Sequence, residues 1–276
     1  MRMSKNFLTL LVATFALNIF PTTATAAEVP AGFAFQGSGY GHGVGMSQIG
    51  ARAKALAGES ATAILQYYYT GTAVETVTDI QILRINIGHL LTSAMLRSDS
   101  NGAQVQLFAG DLAETQTATP LLTLPSKTSL NLTLTNNLIA LSTTRGSKIT
   151  PVTIGSSFTL RWTGTRYLEG PITVLSLASG NTVNRYRHGQ MNFKIIRDKT
   201  LGKRIEIINS VRLQDEYLWG ISEVPSSWPA AALEAQVIAS RTYAYAKSFK
   251  VRTACDCHLY GSISDQTFAG YTKESE

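Results

Sequence analysis

The sequence predicts an α+β fold in which helical or mixed segments at both ends flank a β-rich, sandwich- or barrel-like middle. Residues 31–71 run from a glycine-rich stretch into two capped helical stretches. Residues 72–212 hold short segments that alternate apolar and polar side chains at period two, and after Leu213 a long helical run returns. With 276 residues, 44% of them hydrophobic and 15% charged, the chain can bury a core, which excludes general disorder. At ~100–200 residues per domain it has room for one large domain or two modest ones.

The first element is a leader. Arg2 and Lys5 form a positive start, Phe7 to Phe20 is an apolar stretch, and Ala24-Thr25-Ala26 supplies a small-x-small cleavage pattern. These predict a signal peptide over 1–26 and a secreted, extracytoplasmic product. No apolar run reaches the ~18 residues of a membrane span, so no integral span is expected after cleavage. Taking Arg2 and Lys5 from the 24 basic residues, against 18 acidic ones, leaves a net charge of +4. That balance is mild and unclustered; it suits an anionic polymer but makes no nucleic-acid stripe.

In the 31–71 segment, Ser47 is placed to cap a helix through Ala51–Leu56 that stops near Gly58, and Ser60 to cap a second that ends at Gly71. Tyr67, Tyr68 and Tyr69 cannot all face one way on a helix, so one or two are expected to pack on the core. In the 72–212 module, VTDIQILRINIG, AQVQLFAG, SLNLTLTN, SFTLRWTG, ITVLSLAS and RIEIINSV read as half-buried strands. In the 213–276 segment, Pro229 sits where a first-turn proline is tolerated, ahead of a helix over 230–249. Its apolar residues surround most of the circumference, so it should be largely buried, with Gln236 and Arg241 needing polar partners.

Three constellations are candidates for chemistry. In GSGYGHGVGMSQIGA (37–51), glycines alternate with other residues, leaving one edge of an extended segment open to another backbone or a ligand. No G-x-G-x-x-G register fits, so nucleotide binding is unsupported, and close strand packing is the competing reading. In DEYLWGISEVPSSWP (215–229), Glu223 lies among Trp219, Val224, Pro225 and Trp228. An apolar setting disfavours a charged carboxyl and suits it to act as a general acid; a surface or helix-capping glutamate is the alternative. In Cys255-Asp256-Cys257-His258, cysteines two apart are poorly placed for a mutual disulfide, and two thiolates beside an imidazole are natural zinc ligands. His42, His89, His188, Asp265 or water could complete such a set. Free thiols or an intermolecular disulfide are the alternative.

These stretches together resemble the SpoIID/LytB domain family, the sporulation stage II protein D group of cell-wall proteins. The middle one is the most specific: E-Y-L-x-G, a glutamate before proline, S-W-P, and A-x-A-Q-x-x-A-x-R-T-Y. CDCHLYGSISDQTFAGY (255–271) completes the match. The resemblance implies SpoIID-like segments at both ends of the chain and a secreted, cell-wall-associated lytic transglycosylase. Such an enzyme cuts peptidoglycan glycan strands between N-acetylmuramic acid and N-acetylglucosamine, leaving 1,6-anhydro ends. It implies Glu223 as the catalytic residue, and His42, Gly43, Ser47, Gln48, Arg241 and Gln266 as glycan contacts. It also implies a structural zinc at Cys255, Cys257 and His258. The alternative it carries is a non-catalytic glycan-binding protein that stimulates a cell-wall amidase. The glycine-histidine motif here precedes the glutamate motif, whereas in many members it follows. The resemblance further implies more of the family domain beyond Glu276.

Overall fold

The computed structural model describes Gly32, Ala34, residues 44–98 and residues 100–275. The expected leader over 1–26, His42 and Gly43 lie outside the described residues. Two units are distinguished, Met1–Tyr40 and Gly41–Glu276, and every element below belongs to the second.

Helices α1 (Gln48–Leu56) and α2 (Ala61–Tyr68) form where the caps predict them. The Ser47 hydroxyl accepts the Gly50 N–H at 3.1 Å and the Ser60 hydroxyl accepts that of Ala63 at 3.3 Å, each satisfying an otherwise orphaned donor. Twelve strands follow. They are β1 (Ile82–Leu91), β2 (Ser93–Ser98), β3 (Gln104–Ala109), β4 (Leu122–Pro125), β5 (Ser129–Thr135) and β6 (Leu138–Arg145), then β7 (Lys148–Gly155), β8 (Ser157–Trp162), β9 (Leu175–Ser179), β10 (Thr182–Tyr186), β11 (Gln190–Asp198) and β12 (Gly202–Arg212). A single π-helical turn over Leu213–Tyr217, helix α3 (Ala230–Lys247), strand β13 (Leu259–Tyr260) and helix α4 (Tyr271–Glu274) complete the order.

The strands make two sheets, β13-β1-β12-β11-β8-β3-β4 and β10-β9-β2-β5-β6-β7. Their inner faces meet in one apolar core: Leu83, Ile85, Leu160, Phe193 and Ile207 from the first, Leu96, Leu132, Ile139 and Leu177 from the second. That is the packing expected when two sheets each alternate apolar-in, polar-out. Each of the six predicted segments contributes a strand. The others carry weaker alternation; β7 is largely exposed and holds Pro151, as befits a sheet edge.

The core does not stop at position 212. Tyr217, Leu218, Ala244, Leu259 and Phe268 belong to the same apolar cluster, and β13 pairs with β1 in parallel. Strand β12, read as half-buried, is covered on both faces from Ile205 to Ser210. Beside it β1 bulges, so that His89 and Leu90 lie between the pairs Gly88–Ile207 and Leu91–Ile205, opposite Glu206 alone.

Helix α3 is less enclosed than its composition suggests. Ala232, Ala235, Ser240 and Ala244 are buried while Glu234, Thr242 and Tyr243 are exposed. It packs on α1 and α2 through a second cluster of Ala51, Ala61, Ile64, Leu65 and Ala235. Small side chains on α3 let these helices approach closely, and this seats the N-terminal helices against the C-terminal segment. Tyr68 and Tyr69 pack against this cluster, while Tyr67 stays exposed under the Lys54 ammonium.

Candidate functional site around Glu223

Glu223 sits in the loop between the π turn and α3, half-buried. The loop is held by a short antiparallel pairing with the chain near its C-terminal end. Ala269 N–H donates to Gly220 O and Ser222 N–H to Thr267 O, each at 2.9 Å, around an Ile221–Phe268 bridge. Gly220 allows this approach, because a Cβ there would lie 2.4 Å from the Phe268 ring. Thr267 N–H in turn donates to Glu223 Oε1 at 2.5 Å. On the other side, Gln48 Nε2, from the first turn of α1, donates to Glu223 Oε2 at 3.3 Å. The carboxyl therefore has one tight backbone donor and one looser, movable side-chain donor. These polar contacts differ from the apolar, aromatic enclosure expected from sequence. Trp219 is half exposed, and Trp228 lies under the Arg52 guanidinium at 5.9 Å.

A layer of side chains fixes the 265–267 segment. Tyr217 donates its hydroxyl to Gln266 Oε1 at 2.7 Å and stacks on Phe268. The π turn inserts an extra residue and brings Glu216 and Tyr217, neighbours in the chain, both into the interior. Burial, reinforced by the charges of Glu223 and Asp265, drives the Tyr217 ionisation well above the usual tyrosine range, so its hydroxyl remains a donor. Asp265 accepts both arms of Arg252 at 2.7 Å, the Tyr243 hydroxyl at 2.5 Å and the Tyr260 N–H at 2.9 Å. Burial pushes its pKa upward, but the Arg252 and Tyr243 hydrogen bonds outweigh this and leave it below the ordinary aspartate value.

The structure thus brings Gln48 and Glu223 into contact and places Gln266 one residue from the donor Thr267. Gln266 is buried and committed to Tyr217, and the Ser47 hydroxyl is committed to its cap. Among the described residues, the half-buried Arg241 has no hydrogen-bonding or ionic partner, whereas Gln236 donates to the Ser240 hydroxyl at 3.1 Å. Neighbouring carboxylates are used elsewhere: Asp215 pairs with Arg212 at 2.6 Å, and Glu216 with Arg166. Thr267, Tyr217 and Tyr243 lie inside the motif stretches but are not singled out by sequence, because Thr267 acts through its main-chain N–H and the two tyrosines act on Gln266 and Asp265 rather than on Glu223.

The metal expectation needs correction. Cys255 and Cys257 are joined in a disulfide. Asp256 between them takes a left-handed conformation at φ 52°, and that turn brings the two sulfurs together despite the short spacing. The sulfurs are not thiolates, and His258 Nδ1 accepts the Arg84 N–H at 2.9 Å, so this trio does not fit zinc. The other described candidates are committed too, His89 to Glu206, His188 to Glu274 and Asp265 to Arg252, and His42 lies outside the described residues. No cluster with metal-holding geometry occurs among the described residues.

A glutamate held between a β-bridged loop and a helix from the other end of the chain defines a site assembled from distant segments. Residues 201–276, which contain β12, Glu223, α3 and the 265–267 segment, match the family model of SpoIID, Stage II sporulation protein. The match marks a sporulation- and cell-wall-related protein. Comparison with curated proteins and with solved structures finds no match. No described helix is long and apolar enough to cross a membrane.

Proposed function

We propose that the protein is a secreted peptidoglycan lytic transglycosylase in which Glu223 serves in turn as general acid and general base. The observation that supports this reading best is the meeting of Gln48, Glu223 and Thr267, drawn from three separate motif stretches, on one carboxyl group. In the protonated state Glu223 gives its proton to the glycosidic oxygen between N-acetylmuramic acid and N-acetylglucosamine, and the C1–O bond breaks. The resulting carboxylate takes the proton from the C6 hydroxyl of the same muramic acid, whose oxygen closes on C1 to leave a 1,6-anhydro end. One carboxyl group serves both transfers, so no second acid is required.

Gln48 suits the cycle because a side-chain amide offers both donors and an acceptor. Its NH2 supports the carboxylate and, after rotation, its oxygen can accept from the carboxylic acid. Thr267 N–H holds Oε1 throughout, which leaves Oε2 as the oxygen that carries the proton.

Digestion of purified sacculi followed by mass spectrometry tests the reading. Anhydro ends that disappear in Glu223→Gln support it. Tight sacculus binding without such ends, unchanged in Glu223→Gln, replaces it with a glycan-binding protein that stimulates an amidase.

A further inference from the structure

Away from Glu223 the first sheet carries a second cluster with the marks of a built site. Glu206 on β12 has a fully buried side chain, and its neighbours on β11 and β1 leave it on the face opposite the sandwich core. It accepts from the Asn86 amide, from His89 Nδ1 at 2.9 Å and from the Leu90 N–H at 2.9 Å. The β1 bulge and a left-handed Leu90 (φ 52°) are what bring His89 and Leu90 onto it. Leucine rarely adopts that conformation, and such strain gathers at functional positions. Burial also raises the Glu206 pKa, although the donors oppose it.

His89 is thereby clamped through one ring nitrogen while its side chain remains 41% exposed. It borders a cavity of about 380 Å3 together with Asn86, Tyr260, Ser262 and Ser264. The His89 and Tyr260 rings meet edge to face at 4.9 Å. No lysine or arginine lines the cavity, and a carboxyl lies beneath it, which disfavours an anionic ligand. Hydroxyls, an amide, an oriented imidazole and an aromatic ring together match a neutral, hydroxyl-rich ligand. Tyr260, Ser262 and Ser264 belong to the segment that continues into Asp265 and Thr267, the support of Glu223.

We propose that this cavity is a saccharide-binding site, taking a neutral N-acetylated sugar unit with His89, positioned by Glu206, as its principal polar contact. It deepens the glycan-strand reading above, on which it rests for the identity of the polymer, but sugar binding here does not require Glu223 chemistry.

The test uses the full chain carrying Glu223→Gln and the tetramer of N-acetylglucosamine as probe, followed by calorimetry and by NMR of labelled histidine and tyrosine. The expected result is saturable binding that shifts His89 and Tyr260 resonances and weakens at least tenfold in His89→Ala. Ser264→Trp, an exposed substitution that fills the cavity without touching Glu206, should weaken it similarly. Absence of tetramer binding, or binding indifferent to both substitutions, overturns the proposal. With Glu223 intact, anhydro ends formed with KM unchanged in His89→Ala and in Ser264→Trp would overturn this site and leave the cleavage reading standing. Cavity-dependent binding without anhydro ends would do the reverse.

Discussion

The side-chain amide of Gln48 donates to the carboxyl of Glu223 at 3.3 Å, joining positions 175 residues apart. The contact explains how Gln48, at the end of a motif that precedes the glutamate motif, still reaches it. Helices α1 and α2 lie on α3 through small side chains, and α3 follows directly on the Glu223 loop. Order along the chain matters little when packing closes the distance.

Gln48→Ala should therefore lower kcat on sacculi by roughly tenfold, corresponding to about 1.4 kcal/mol of transition-state stabilisation, with little change in KM. Gln48→Glu should be more damaging, because it sets a second carboxylate against Glu223. Rates of anhydro-end release by wild type and both variants check this; a Gln48→Glu enzyme as fast as wild type would remove Gln48 from the mechanism.

Helix α1 has its own constraint. A Cβ on Gly50 would lie 1.9 Å from the Tyr68 hydroxyl, so the Tyr68 ring must leave its place between α1 and α2 if that residue grows. Gly50→Ala is expected to destabilise the protein by about 1–3 kcal/mol through overpacking and to displace Gln48. Thermal melting of the variant measures the first effect, and activity the second.

Asp265 predicts a pH dependence. Its carboxyl is held below the ordinary value of 3.8, so the folded state binds its proton less readily than the unfolded chain does. The associated stability is fully present above that ordinary value and is lost as pH falls through the depressed folded value. Asp265→Asn should melt earlier than wild type at neutral pH, and the gap should narrow on acidification below about pH 4. A gap constant from pH 7 to pH 3 would show that the Arg252 and Tyr243 contacts contribute through shape rather than charge.

The Cys255–Cys257 bridge closes a very short loop, for which chain entropy allows about 1–2 kcal/mol. Replacing both cysteines by serine should lower Tm modestly and leave the protein folded. Thiol titration of the denatured, unreduced protein should find no reactive cysteine, and elemental analysis should find no stoichiometric zinc. Zinc bound at one equivalent would restore the metal reading.

Six strands were legible because period-two alternation is a direct consequence of a sheet with one buried face. Helices α1 and α2 were legible from Ser47 and Ser60, because capping depends on a side chain and an N–H only three residues apart. The disulfide was not legible, since its closure depends on a left-handed Asp256 that spacing alone does not reveal.

By itself, then, the amino-acid sequence determined the elements whose causes are local: caps, alternation and the motif that singles out Glu223. Tertiary structure alone decided what surrounds that carboxyl, pairing it with a main-chain N–H of Thr267 and the amide of Gln48 instead of an apolar wall. It likewise decided that His89 rests on Glu206, through a bulge in β1. Such contacts join residues far apart in the chain, and their geometry follows from how sheets and helices pack, which no local pattern of side chains encodes.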